Sequence, residues 1–378
     1  MASNPFTLAA LATTAVPGIE LRGTVDDGSD ADADHGAATM SDGRTVRISV
    51  PRTSTVLQRM RAQATALGAA TDGVRERLPF EIPTLLGRAA TGDTEVFVWT
   101  RLGGRAAVLD DLGTGSMASS VAAAVAAIHD LPTSVIADAS LPHRSAPRVR
   151  DDVLKVFDRA VATRRVPTPL LQRWEQAADN AELWQFTPTV VHGDLQAAAL
   201  RVDEGLVHGV DGWHGLSVGD PARDLAWVLG SADFDAVDSV FADYALARPG
   251  DRFLRSRAML HAEIDIARWL LFGVERDDTA TIEDAVGMLG ELVGRVDDED
   301  AAVSLQPRKA DTMDLSEVQL LLEGNRSLGV VRASQSEPTT AAASATDLET
   351  VPLEPSTSDA DTDTDTDTDT NIDAEEAR

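Results

Sequence analysis

No cysteine occurs in the 378 residues, so disulfides, thiolate nucleophiles and Cys-ligated zinc or iron–sulfur centres are excluded at once. Lysine is almost missing too: Lys155 and Lys309 are the only two, and arginine supplies the other 31 basic side chains. No stretch approaches the ~20 consecutive apolar residues of a membrane span. The apolar run Thr7–Val16 has no Lys or Arg before it, and a secretory leader needs a basic start. Asn4-Pro5 instead reads as an N-cap and first-turn proline of a short surface helix, and the expected location is cytoplasmic. Positive charge is scarce overall, with 62 acidic against 33 basic residues and a net charge of −29. That balance argues against a nucleic-acid backbone or an anionic membrane as partner.

The length suggests two domains or one two-lobed body, at roughly 150 residues per domain. Composition changes near residue 300: residues 301–378 carry 17 acidic and 5 basic residues and include the run Asp361–Thr370 of alternating Asp and Thr. With so few apolar groups to offset the entropy of ordering, this segment reads as a disordered acidic tail of unknown partner. Its one amphipathic stretch is Met313–Leu322. The glycine turn and bidentate Glu of a calcium loop are absent from the Asp run.

The first hundred residues read as strands and loops. Ile19–Gly23 is a candidate strand, followed by an acidic loop over Asp26–His35. Asp42-Gly43 is a hairpin turn signal, and Thr45-Val-Arg-Ile-Ser-Val50 alternates as a strand should. A helix is expected over Val56–Ala70, broken by Gly68 and ended near Gly73, and Glu95–Thr100 is a further strand. From Ser116 to about 296 helical spacing dominates, including a core helix over Ser256–Gly273. Trp213, Trp227 and Trp269 lie on apolar stretches and are expected in the core.

The chemistry concentrates in Val190-Val-His-Gly-Asp-Leu-Gln-Ala-Ala-Ala-Leu-Arg-Val202. Two short apolar runs flank a polar loop, which places Asp194 at the crest of a strand–loop–strand unit. A carboxylate so presented can accept a proton from a substrate hydroxyl. His192 in such a loop is expected to hold its shape through backbone hydrogen bonds. Downstream come His208-Gly-Val-Asp-Gly-Trp-His214 and Val218-Gly-Asp-Pro-Ala-Arg-Asp-Leu-Ala226. There Asp220 and Pro221 form a helix start, and Asp224 reads as a loop anchor. His208 and His214 have no partners at metal-ligand spacing.

In these residues the chain resembles the aminoglycoside/macrolide phosphotransferase family. Its pattern joins His-Gly-Asp, with an Asn five residues on, to a metal-binding Ile-Asp-Trp strand and to Gly-Asp-Pro-x-x-Asp. Thr100-Arg-Leu-Gly-Gly104 resembles that family's hinge, and Ala127-Ile-His-Asp-Leu-Pro132 and Leu78-Pro-Phe-Glu-Ile-Pro83 resemble further segments in the same order. The resemblance runs over residues 5–296. It implies an α+β, protein-kinase-like fold: a small β-rich lobe over 1–104, a larger helical lobe over 105–300, and the tail over 301–378. It also implies ATP or GTP with magnesium, a small hydroxylated substrate, and Asp194 as catalytic base. Arg47 takes the place of the phosphate-binding strand lysine, and Asp211 is the metal-ligand candidate.

The same comparison exposes departures. Ala199 stands where the Asn ligand should be. Without a gap, Gly212 rather than Asp211 takes the metal-binding Asp position, and Asp211 reaches the cleft only through a bulge, which Gly209 and Gly212 permit. Gln63 occupies the place of the helix Glu that would pair with the lysine. Two readings therefore stand open: a phosphotransferase of impaired activity, and a non-catalytic, pseudokinase-type protein that uses the cleft for binding.

Overall fold

The computed structural model describes residues 4–29 and 31–296, all within the first of two units, 1–310 and 311–378. The expected tail over 301–378, with its stretch 313–322, lies outside the described residues. Among the described residues no helix is long and apolar enough to cross a membrane.

Helix α1 (Pro5–Ala15) starts as its sequence dictates, with the Asn4 side chain accepting the Phe6 N–H at 3.0 Å. It buries Leu8, Ala12 and Ala15 against a five-stranded antiparallel sheet. The sheet contains β1 (Leu21–Asp26), β2 (Ala33–Met40), β3 (Thr45–Pro51), β4 (Leu85–Thr91) and β5 (Thr94–Thr100), in the order β1-β2-β3-β5-β4. The Asp42-Gly43 turn joins β2 to β3, with Gly43 at φ +88°. Two expectations shift here. The first strand begins two residues later than predicted, and the expected loop over 26–35 gives up Ala33–His35 to β2. β2 has few β-branched residues because α1 crosses it: a Cβ on Gly36 would lie 3.0 Å from Leu8 Cδ1.

Helix α2 (Ser54–Ala69) is capped by Thr53 Oγ1, and Gly68 remains inside it rather than breaking it. After the short α3 (Asp72–Arg75), the run Leu78–Pro83 crosses to the helical half. There Glu81 pairs its N–H with the His208 carbonyl at 2.8 Å, and its own carbonyl accepts the Val210 N–H at 2.9 Å. The second half contains β6 (Arg105–Ala106), α4 (Met117–His129), α5 (Ser134–Asp138), α6 (Ala146–Ala162) and α7 (Thr168–Asp179). Four short strands follow, β7 (Thr189–Val191), β8 (Leu200–Asp203), β9 (Leu206–Val210) and β10 (Ser217–Gly219). A 3-10 helix over Pro221–Gly230 then leads into α8 (Phe234–Ala247), α9 (Leu254–Arg276) and α10 (Thr279–Val296).

One apolar core wraps α4 and reaches the strands β7–β10. A second joins α6, α7, α9 and α10. Trp213 is buried in the first, as expected. Trp269 is not in a core: it is 39% exposed, stacks on Phe272 at 5.2 Å and donates Nε1–H to Asp284 at 2.8 Å. Helical spacing marks an apolar stripe, but it does not tell how far around the helix neighbours cover that stripe.

Candidate active site

The His192-Gly-Asp loop hangs between β7 and a short 3-10 turn over Ala197–Ala199 that opens β8. Its shape is fixed from behind. Asp224, fully buried, accepts the His192 backbone N–H at 2.6 Å and the Gly193 N–H at 2.8 Å. His129, at the end of α4, donates Nε2–H to the same carboxylate at 3.2 Å, and its Nδ1 meets the Tyr244 hydroxyl at 2.7 Å. Burial pushes the Asp224 carboxyl up, but the hydrogen bond and charge of His129, with the loop N–H groups, outweigh it and hold the pKa below the usual range.

Gly193 takes φ +82°, and a Cβ there would fall 2.3 Å from the Gly215 carbonyl oxygen; only glycine fits. His192 donates Nε2–H to the Asp211 carbonyl at 2.9 Å, while its buried Nδ1 has no partner. Burial lowers its pKa, so the ring is a neutral spacer that ties the loop to the end of β9.

Asp220 anchors the next turn. It caps the 3-10 helix through the Ala222 N–H at 3.0 Å and accepts Arg257 Nε at 3.0 Å and His261 Nε2 at 3.0 Å. Arg257 is itself buried and also grips Asp251. Burial alone would raise the Asp220 carboxyl, and Arg257 and His261 override it to hold the pKa far below the ordinary value.

In front of these anchors a cavity of about 530 Å³ opens between the sheet, α2 and the His192 loop. Asp194 lines it with a side chain 37% exposed. Its Oδ2 accepts His214 Nε2 at 3.1 Å, a partner that the sequence did not reveal because twenty residues and a hairpin separate the two. Burial raises the Asp194 carboxyl, but the His214 hydrogen bond and the charges of His214 and Arg223 reverse the sign, so it stays ionised at neutral pH. Arg47 reaches the cavity from β3, between two carboxylates: Nε is 3.6 Å from Asp27 and Nη1 is 3.8 Å from Asp211. Arg101 also holds Asp27, at 3.0 Å.

Asp211 does turn into the cavity. The β8–β9 register slips at His208, a bulge next to Gly209, and Gly212 takes φ +81°. The carboxylate is already engaged: Oδ1 accepts the Gly212 N–H at 2.8 Å and Gln63 Nε2 at 3.3 Å, and Oδ2 faces Arg47. Gln63, in place of a glutamate, thus contacts Asp211 from α2.

These residues do not fit a magnesium ion. A Cβ on Gly212 would lie 4.0 Å from the Ala199 Cβ, so 199 and 212, where the resemblance implies two ligands, are neighbours, and neither side chain carries a ligand atom. The Asp211 carboxylate faces an arginine and accepts from two N–H donors. Among the described residues no group of three or more His, Cys, Asp or Glu is placed to hold a metal.

Residues 39–261 match the family model described as "Phosphotransferase enzyme family". Among solved structures, the chain is similar to macrolide 2'-phosphotransferase MphH from Brachybacterium faecium (TM-score 0.63, 22% identity, 76% of this chain and 98% of that one). It is similar to a type I macrolide 2'-phosphotransferase as well (TM-score 0.61, 25% identity, 75% and 96%). The GDP complex of aminoglycoside 2'-phosphotransferase-IIIa gives a TM-score of 0.63 at 15% identity, covering 76% and 98%. A curated relative, the uncharacterized protein YcbJ of Bacillus subtilis (strain 168), is 34% identical over 61 residues, 16% of this chain and 20% of its own length. The fold is protein-kinase-like, with small sheet and larger helical halves as the sequence predicted.

Proposed function

We propose that this chain, which belongs to the phosphotransferase enzyme family, binds ATP or GTP in the cavity and phosphorylates a hydroxyl of a small molecule, slowly. The nucleotide would lie against the lobe of residues 1–104 and the acceptor against that of 105–300. Four of the similar structures carry GDP or ADP, and one of these carries kanamycin as well, which supports a nucleotide site beside a site for a hydroxylated acceptor.

The observation that carries this reading is the Asp194 carboxylate: ionised, open to the cavity and oriented by His214 at 3.1 Å. In the proposed step the acceptor oxygen forms a bond to the terminal phosphorus while the bridging P–O bond breaks. The nucleoside diphosphate leaves, and the hydroxyl proton passes to Asp194. Arg47 would offset charge on the phosphate oxygens. Magnesium normally supplies much of that neutralisation, and the side chains at 199 and 212 do not offer it a seat, so turnover is expected to be low.

Ala199 and Gly212 favour a second reading, a pseudokinase-type protein whose cavity binds nucleotide without transfer. Nucleoside diphosphate release, measured with a panel of hydroxylated acceptors, separates the two. Under the first reading a slow wild-type rate falls by about 10²-fold or more in Asp194→Asn, the contribution of a general base. Equal wild-type and variant rates, with nucleotide still bound, would establish the second.

A further inference from the structure

In a chain of net charge −29, the cavity wall reverses sign: four arginines, Arg47, Arg59, Arg101 and Arg201, line it against three aspartates. Arg47 is flanked by Asp27 and Asp211 but hydrogen-bonded by neither, at 3.6 and 3.8 Å, and its buried Nε has no partner. Among the described residues, Arg59 and Arg201 have no carboxylate within ion-pair distance. Guanidinium groups present planar forks that match phosphate oxygens bidentately, and here several converge on one cavity with unused donors.

The ligand positions and the arginines point the same way. Where the resemblance implies two metal ligands, Ala199 and Gly212 leave none. Asp211, the carboxylate that follows β9, faces the guanidinium of Arg47 instead of a metal ion. We infer that the cavity takes the phosphate chain of a nucleoside di- or triphosphate directly on guanidinium groups, with no divalent cation, and that Asp211 competes with the ligand for Arg47. This rests on the nucleotide reading above and specifies how that site holds its ligand.

The roles of Asp211 in the two schemes have opposite signs. As a metal ligand its loss weakens nucleotide binding; as a competitor for Arg47 its loss strengthens it. The test is calorimetric titration of the full chain with ATP, GTP and ADP, once in EDTA and once in excess magnesium. Affinities within about threefold in the two buffers are expected, since an interaction worth less than ~1 kcal/mol separates them. Asp211→Asn should bind more tightly in EDTA, and Arg47→Ala about tenfold or more weakly, the scale of one charged hydrogen bond. Arg59→Ala, at an exposed helix position, should also weaken binding and serves if the Arg47 variant fails to fold. Binding that drops tenfold or more without magnesium, or that weakens in Asp211→Asn, overturns the inference and leaves the phosphotransferase reading standing. No binding of any nucleotide in either buffer overturns both.

Discussion

Replacing Asp224 by alanine is expected to destabilise the whole folded body and not only its activity. The carboxylate is fully buried and receives the His192 N–H at 2.6 Å, the Gly193 N–H at 2.8 Å and His129 Nε2 at 3.2 Å. Hydrogen bonds to a charged group contribute about 1.5–3 kcal/mol each, and a buried donor left without an acceptor loses its solvation as well. Two backbone donors alone then cost about 3–6 kcal/mol, a large fraction of the ~5–15 kcal/mol by which native proteins are stable. Asn keeps one carbonyl oxygen for one of the N–H groups but turns an NH₂ toward the other, so Asp224→Asn should lose about half as much. Urea unfolding followed by tryptophan fluorescence suits the measurement, because Trp213 lies 4.8 Å from the His192 ring and reports on this loop. A loss below ~1 kcal/mol in Asp224→Ala, or equal losses in the two variants, would refute the loop-anchor argument.

Asp220 and Asp224 both titrate below the ordinary carboxylate value of about 3.9. Their contribution is therefore full above that pH and lost as pH falls through their folded values. Below about pH 6.5 the buried, neutral His192 already removes some stability as the unfolded imidazole gains a proton; the fall should steepen below about pH 4, and a flat profile from pH 7 to 3 would contradict the assignment. Gly193→Ala must either leave φ +82° or push back the Gly215 carbonyl, 2.3 Å from the new Cβ. A stability loss of ~1–3 kcal/mol with displaced Asp194 chemistry is expected, and unchanged stability and turnover would show that the loop yields freely. Ala199→Asn with Gly212→Asp puts back both missing ligands; the new Cβ at 212 meets nothing nearer than 3.8 Å, and the Asp must adopt φ +81°, a conformation that costs about 1–3 kcal/mol outside glycine. The double variant should acquire magnesium-dependent nucleotide binding and faster turnover, and identical behaviour with and without magnesium would show that these positions do not form the metal seat.

Much of the fold is written locally. Asn4-Pro5, Thr53 and Asp220-Pro221 each cap the helix they precede, and Asp42-Gly43 makes its hairpin turn. The order of the His192, Asp211 and Asp220 motifs carries the rest of the architecture. What sequence did not yield depends on contacts made across the chain. The start of β2, Ala33–His35, reads as loop because it ends an acidic stretch poor in apolar residues, and its place in the strand comes from pairing with β3. His214 has no ligand partner close in sequence, and its contact with Asp194 exists only once β8 and β9 fold back on each other. The uncertainty over Asp211 had the same origin: a bulge at His208 sets which side chain enters the cavity, and alternation along a strand cannot foretell where a bulge falls.

The side chains that shape the His192 loop and those that face the cavity are different sets. Asp220, Asp224, His129 and Arg257 are buried behind the loop, whereas positions 47, 63, 199 and 212 lie in front of it. Drift at the front therefore goes unnoticed by the folding reaction. A lineage can shed a metal ligand, exchange a lysine for an arginine or admit one extra residue beside Gly209 while its offspring still fold and persist. Such a molecule offers evolution, or an engineer, a sound frame on which the chemistry can be erased and rewritten.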